Sequence, residues 1–192
     1  MTNSRTLQGT SHSLSLDGQT APTNQLLRAA QETLLQGLEL LDVAGASKYK
    51  RVLGPPFEAS IGQHYRHVLE HYDCLCHGLT TNIVNYDARQ RDVGLETNVS
   101  KAMDRTCNIL DSLVSLDPTE LGRPCKSVQS LGYSATEPLA VRSNIGRELA
   151  YCIGHSVHHY AIIRLICASV EVNLPGNFGF APATLKHKVL KS

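Results

Sequence analysis

The chain has 192 residues, 42% of them hydrophobic, enough for one domain with a packed core. Lys plus Arg number 18 and Asp plus Glu 17, a net charge of +1, which gives no electrostatic reason to expect nucleic acid or an anionic membrane as partner. No run approaches the roughly 18 apolar residues of a membrane span, and the first ten residues lack the apolar stretch of a signal peptide, so the sequence reads as cytoplasmic.

Residues 1–20 are rich in Ser, Thr, Gly, Asn and Gln without apolar period, and read as a disordered tail ahead of one domain over 21–192. Pro22-Thr-Asn24 announces a first helix, on which Leu26, Leu27, Ala30, Leu34, Leu35, Leu38 and Leu41 recur at three and four. Pro55-Pro56 breaks the chain. Ser60-Ile-Gly-Gln63 then has capping-box spacing and opens a second helix over about 60–83. Its apolar stripe carries Ile61, His64, Val68, His71, Leu75 and Leu79, with His67 at the edge.

The polar connection Asn85–Asp92 leads to a third helix capped by Asp92 and stopped at Asp117-Pro118. Residues 123–142 read as a short hairpin or an extended crossover, in which Pro138 argues against a long central strand. Ser143 or Asn144 caps the fourth and longest helix, to about Val172, and a loop with Phe178 and Phe180 packs back before a basic tail. The expectation is an all-α four-helix bundle with a long crossover between helices three and four.

Six cysteines are neither dense nor evenly spaced and read as reduced apolar residues. Cys74 and Cys76, two apart on a helix, point about 160° from each other, a poor metal pair.

Histidine is where the sequence becomes specific. Seven of nine fall within 64–77 and 155–159. At about 100° per residue, His155 and His159 lie about 40° apart on the fourth helix, on one face with Cys152, Ile162, Ile163 and Ile166. Two unpartnered imidazoles on an apolar face are costly to bury, and a shared metal ion takes a lone pair from each. A third imidazole from the second helix would leave one or two coordination positions open, as in catalytic sites, and zinc, nickel or ferrous iron would all accept three nitrogens. The competing reading is a set of core histidines satisfied by Tyr65, Tyr72, Tyr151, Tyr160 or backbone groups.

Ser60-Ile-Gly-Gln-His-Tyr-Arg-His-Val-Leu-Glu-His71 followed by Gly154-His-Ser-Val-His-His-Tyr160 resembles the DinB-like four-helix bundle proteins, including YfiT-type metal-dependent hydrolases and thiol S-transferases. The resemblance covers about 22–172. It implies a divalent metal held by His155, His159 and His67, the last matching the family's second-helix position, although the helical wheel centres His64 and His71 better and keeps His71 in reserve. It also implies chemistry on a small molecule such as a low-molecular-weight thiol, and dimerisation. His158 points about 100° from His159 and falls outside the ligand set. Ala161 stands where the ergothioneine-synthesising oxygenases of the same superfamily carry Glu, which argues against that chemistry. A hemerythrin-like di-iron centre would need inward carboxylates, and neither cluster contains Glu-x-x-His.

Arg91 and Arg147 are the candidates to orient an anionic substrate, against a structural role in ion pairs with Asp87 or Asp92. Two non-catalytic readings stay open beside the enzyme: a metal-stabilised bundle and a plain interaction module.

Overall fold

The computed structural model describes residues 22–189, so the tail expected over 1–20 lies outside the described residues. The fold is mainly helical with one small three-stranded sheet. Helix α1 (Pro22–Ala44) begins with proline in its first turn, where the missing N–H costs nothing, and buries Leu27, Ala30, Leu34 and Leu41 at helical spacing. A short α2 (Ala46–Tyr49) follows.

Helix α3 (Ile61–Thr81) starts with the reciprocal cap that its sequence predicts. The Gln63 N–H donates to Ser60 Oγ and the Ser60 N–H to Gln63 Oε1, each at 3.0 Å. It ends on Asn82, which adopts a left-handed φ of 58° and returns its N–H to the Gly78 carbonyl.

The next segment departs from the expected plain polar connection. Ile83–Asn85 forms strand β1, a 3-10 turn spans Tyr86–Ala88, and only then does Asp92 cap a helix. That helix, α4 (Val93–Thr97), is five residues long. The Asn98 side chain accepts from the Lys101 N–H at 3.1 Å and starts a new helix, α5 (Val99–Val114). Two successive side-chain caps therefore divide what the sequence suggested was one helix.

Beyond a 3-10 turn at Pro118–Gly122 come β2 (Pro124–Gln129) and β3 (Leu139–Asn144). They pair antiparallel, Cys125 opposite Ser143 and Gln129 opposite Leu139. β1 adds to the other side of β2 in parallel, Ile83 opposite Lys126 and Asn85 opposite Val128. Pro138 lies just before the edge strand β3, a position that asks for no ladder hydrogen bond from it.

Helix α6 (Ile145–Ser169) follows directly from β3, capped by Asn144. It packs against α3 and α1, and α1 in turn packs against α5. The loop after α6 returns to this core: Phe178 is buried with its ring 4.9 Å from that of Tyr160, and Arg164 sits 4.0 Å over the Phe180 ring. Gly179 (φ 70°) makes this possible, since a β-carbon there would lie 2.7 Å from the Tyr160 carbonyl oxygen. The basic tail begins as a short helix, α7 (Pro182–Val189). Among the described residues no helix is long and apolar enough to cross a membrane.

Candidate metal centre

The seam between α3 and α6 carries the histidines of both sequence clusters. His64, His67 and His71 recur on α3 at three and four, and His155 and His159 lie one turn apart on α6. The rings pack across the seam. His67 is 4.9 Å from His155 and 4.6 Å from His159, centroid to centroid, His155 and His159 are 4.5 Å apart, and His71 is 4.0 Å from His155. One nitrogen from each of His67, His155 and His159 lies within 4.8 Å of the others.

The remaining nitrogens distinguish the roles. A carbonyl can only accept, so the 2.7 Å contact between His71 Nδ1 and the His67 carbonyl oxygen makes Nδ1 of His71 a donor. That bond anchors His71 to its own helix. His64 Nδ1 and His159 Nδ1 are 3.0 Å apart, so a hydrogen on one of them bonds the other and ties the His159 ring to α3. His155 Nε2 is buried and has no hydrogen-bond partner. An orphaned lone pair or N–H in such a place costs of order 1–3 kcal/mol. His158 is exposed and touches His159 edge-on at 5.3 Å, outside the convergent set.

Burial dominates the electrostatics of the cluster. It lowers the pKa of His67 to about 2, of His159 to about 3, and of His71 and His155 to about 4, with the neighbouring imidazoles adding to the effect. The rings are therefore neutral near pH 7, the state in which imidazole offers a lone pair.

These residues fit a divalent ion. The donor set is three neutral imidazoles, one of which has a buried nitrogen with nothing to bind. Nitrogens around a tetrahedral ion at about 2.0–2.1 Å lie about 3.3 Å apart, within the 4.8 Å that spans the three here.

Among the described residues no carboxylate joins the three nitrogens. Glu70 accepts from the Asp92 N–H at 2.8 Å and faces Arg66 at 3.9 Å. Glu148 is fully buried and receives hydrogen bonds from Tyr86, Ser127, Ser143 and Arg147. The tyrosines named by the competing core reading do not hydrogen-bond to the cluster. Tyr65 bonds Thr106 at 2.9 Å and also meets the Tyr160 hydroxyl, the Tyr72 hydroxyl turns to Ser156, and Tyr151 meets His155 through its ring face at 5.6 Å.

The two arginines singled out from sequence lie away from the three nitrogens. Arg147 is bound to Glu148 Oε1 at 2.8 Å and sits 5.5 Å over the Tyr151 ring, one aromatic layer removed from His155. Arg91 is exposed at a φ of 52°, and no described side chain pairs with it. Asp87 accepts from Ser130 and Asp92 pairs with Lys101, so neither acid binds these arginines. Arg89 is the cation that reaches the cluster, and sequence reasoning missed it. Its Nη1 donates to the Tyr86 carbonyl at 2.5 Å, the Tyr86 ring stacks on His71 at 5.1 Å, and its charge further lowers the pKa values of His67, His71 and His155.

No protein-family model matches the chain, and no solved structure matches it. Over 105 residues the chain is 33% identical to a protein of Rhizopus delemar named FK506-binding protein 5, a stretch amounting to 55% of this chain and 27% of that protein. The chain thus spans about a quarter of the length of the curated relative it matches.

Proposed function

We propose that the chain is a divalent-metal-binding four-helix bundle of the DinB-like type, with His67, His155 and His159 as ligands and a small molecule as substrate in a transferase or hydrolase reaction. The observation that carries this reading is that three neutral imidazoles from α3 and α6 each bring a nitrogen within 4.8 Å of the others, while His155 Nε2 is buried without a hydrogen-bond partner. The order of the elements adds support, since α1, α3, α5 and α6 are the long helices and the longest connection, which holds the β2–β3 hairpin, falls between α5 and α6.

Three protein nitrogens leave room for an exogenous ligand, and zinc is the ion that most often takes this donor set with an open position. When bound, such an ion supplies Lewis acidity that lowers the pKa of a thiol or water reaching it. The protein's own part is to hold the three lone pairs. His64 keeps the His159 ring oriented, and Tyr86 and Tyr151 wall the seam beside His71 and His155. The reading draws on the histidine geometry and not on the R. delemar relative, because the chain aligns with only 27% of that protein.

Metal analysis of the purified protein tests it. About one divalent ion per chain, lost in His155→Ala, is the expected result. A wild-type protein without stoichiometric metal after zinc or cobalt loading would overturn it and leave the plain interaction module.

A further inference from the structure

A cavity of about 480 Å³ opens beside the histidine seam, between α3 and the 83–90 segment. Its wall includes Asp73, Cys74 and His77 from α3 and Asn85, Arg89 and Gln90 from the segment opposite. On α3 this wall lies about 90° around the axis from the stripe of His67 and His71, between one and two turns further along. Arg89 belongs to both places. It lines the cavity, and it is joined through the Tyr86 carbonyl to the ring that stacks on His71.

The charges around the cavity are unequally satisfied. Asp73 pairs with Arg105 at 3.2 Å, and Glu70, also on the wall, is held by the Asp92 N–H and Arg66. Arg89 is different. Among the described residues no carboxylate pairs with it, and its bond to Tyr86 uses one of the five N–H donors of a guanidinium. A half-buried guanidinium with four donors free and no counter-ion, facing a cavity the size of a small-molecule site, is suited to a planar or tetrahedral oxyanion.

We infer that this cavity binds the carboxylate or phosphate group of a small molecule, with Arg89 as the anchor that sets the rest of the molecule against the histidine seam. The inference rests on the metal-centre reading for what the far end of the molecule meets. The anion site itself is built by Arg89 and does not need the ion.

Two probes distinguish the anion classes: glutarate as a dicarboxylate and inorganic phosphate, each titrated into the metal-free protein and followed by NMR. Saturable millimolar binding of at least one probe, shifting the His67 and His71 imidazole resonances, is expected. Arg89→Gln should weaken it at least about tenfold, as loss of a charge-assisted bidentate contact does. Arg89→Lys should recover part of the loss, and Arg147→Gln should leave affinity unchanged. Equal affinity in wild type and Arg89→Gln, or no saturable binding of either probe, overturns the inference. A parallel cobalt titration separates it from the metal reading: Arg89-dependent anion binding in a protein that takes no cobalt supports the anion site while the metal centre fails. Cobalt binding with Arg89-independent anion binding overturns the anion site alone.

Discussion

Two polar clusters lie on the same helix, α6, less than two turns apart, and they solve the cost of burial in opposite ways. Glu148, at the beginning of the helix, is a buried carboxylate surrounded by donors: Tyr86 at 2.8 Å and Ser127 at 3.1 Å on one oxygen, Ser143 at 2.5 Å and Arg147 at 2.8 Å on the other. Burial pushes its pKa up, but the hydrogen bonds from Ser143, Tyr86 and Arg147 outweigh that, and the net value falls below the usual carboxylate one. This knot ties α6 to the 3-10 turn, β2 and β3, and its main acceptor sites are filled. The histidine seam has no such closure. His71 and His64 are spoken for, yet His155 Nε2 has no partner and the rings sit far from their ordinary pKa. A group that is fully satisfied stabilises a fold; a group left short of a partner among neutral lone pairs is arranged for something else.

The largest effect expected from breaking the comparison is on the knot. Glu148→Ala leaves two serines, a tyrosine and an arginine without their shared acceptor and should cost about 3–5 kcal/mol, read by chemical denaturation of the metal-free protein. His155→Ala in the same assay should cost less, because it breaks no buried ion pair and the Nε2 it removes was already without a hydrogen-bond partner. A large loss in His155→Ala would mean that the seam is a structural core like the knot.

Metal addition should reverse the ranking. Excess zinc at about a hundred times its dissociation constant should stabilise the wild type by about 2.7 kcal/mol and do nothing for His67→Ala, His155→Ala or His159→Ala. His64→Ala should lie between, weakening metal binding about tenfold to a hundredfold through loss of the bond that orients His159.

The two clusters also separate in pH. Each ring of the seam takes a proton more readily in the unfolded chain, near pH 6.5, than in the fold, where the values are about 2 to 4. Stability of the metal-free protein is then fully present above about pH 6.5 and falls as pH drops from there toward 4. Glu148 shifts in the same direction and gives the same slope in a lower window: its contribution is present above its unfolded value of 4.5 and is lost as pH falls through its lower folded value. Alanine at His67 and His159 together should roughly halve the slope between pH 4 and 6.5, since His71 and His155 remain, and leave the loss below pH 4.5. The smallest effect is expected for Arg91→Ala, an exposed residue without a partner among the described residues, within about 0.5 kcal/mol of wild type.

Much of the fold was legible because it rests on local signals. Apolar spacing marks the long helices, and Ser60 with Gln63 marks the start of α3 to the residue. β1 was not, since three residues give no period and its partner β2 lies about forty residues away. The split between α4 and α5 was half legible: Asp92 reads as a cap, but Asn98 competes with it only because the chain turns there. In the site, the helical wheel places His64 and His71 at the centre of the α3 stripe. The structure binds them to His159 and to the His67 carbonyl instead, and His67, at the stripe's edge, faces both α6 rings. An edge position can face both α6 rings because the seam is where two helices meet, and the wheel describes one helix alone. Arg89 was hidden for the reason β1 was, as pairing with β2 fixes the segment that aims it.

The central claim is that three imidazoles share one ion and leave it a position open. X-ray absorption at the metal edge of the zinc-loaded protein tests it most directly. Three histidine nitrogens at about 2.0–2.1 Å with one or two further light-atom ligands is the predicted first shell. A shell containing sulfur, or four protein ligands, or fewer than three imidazoles, would contradict it.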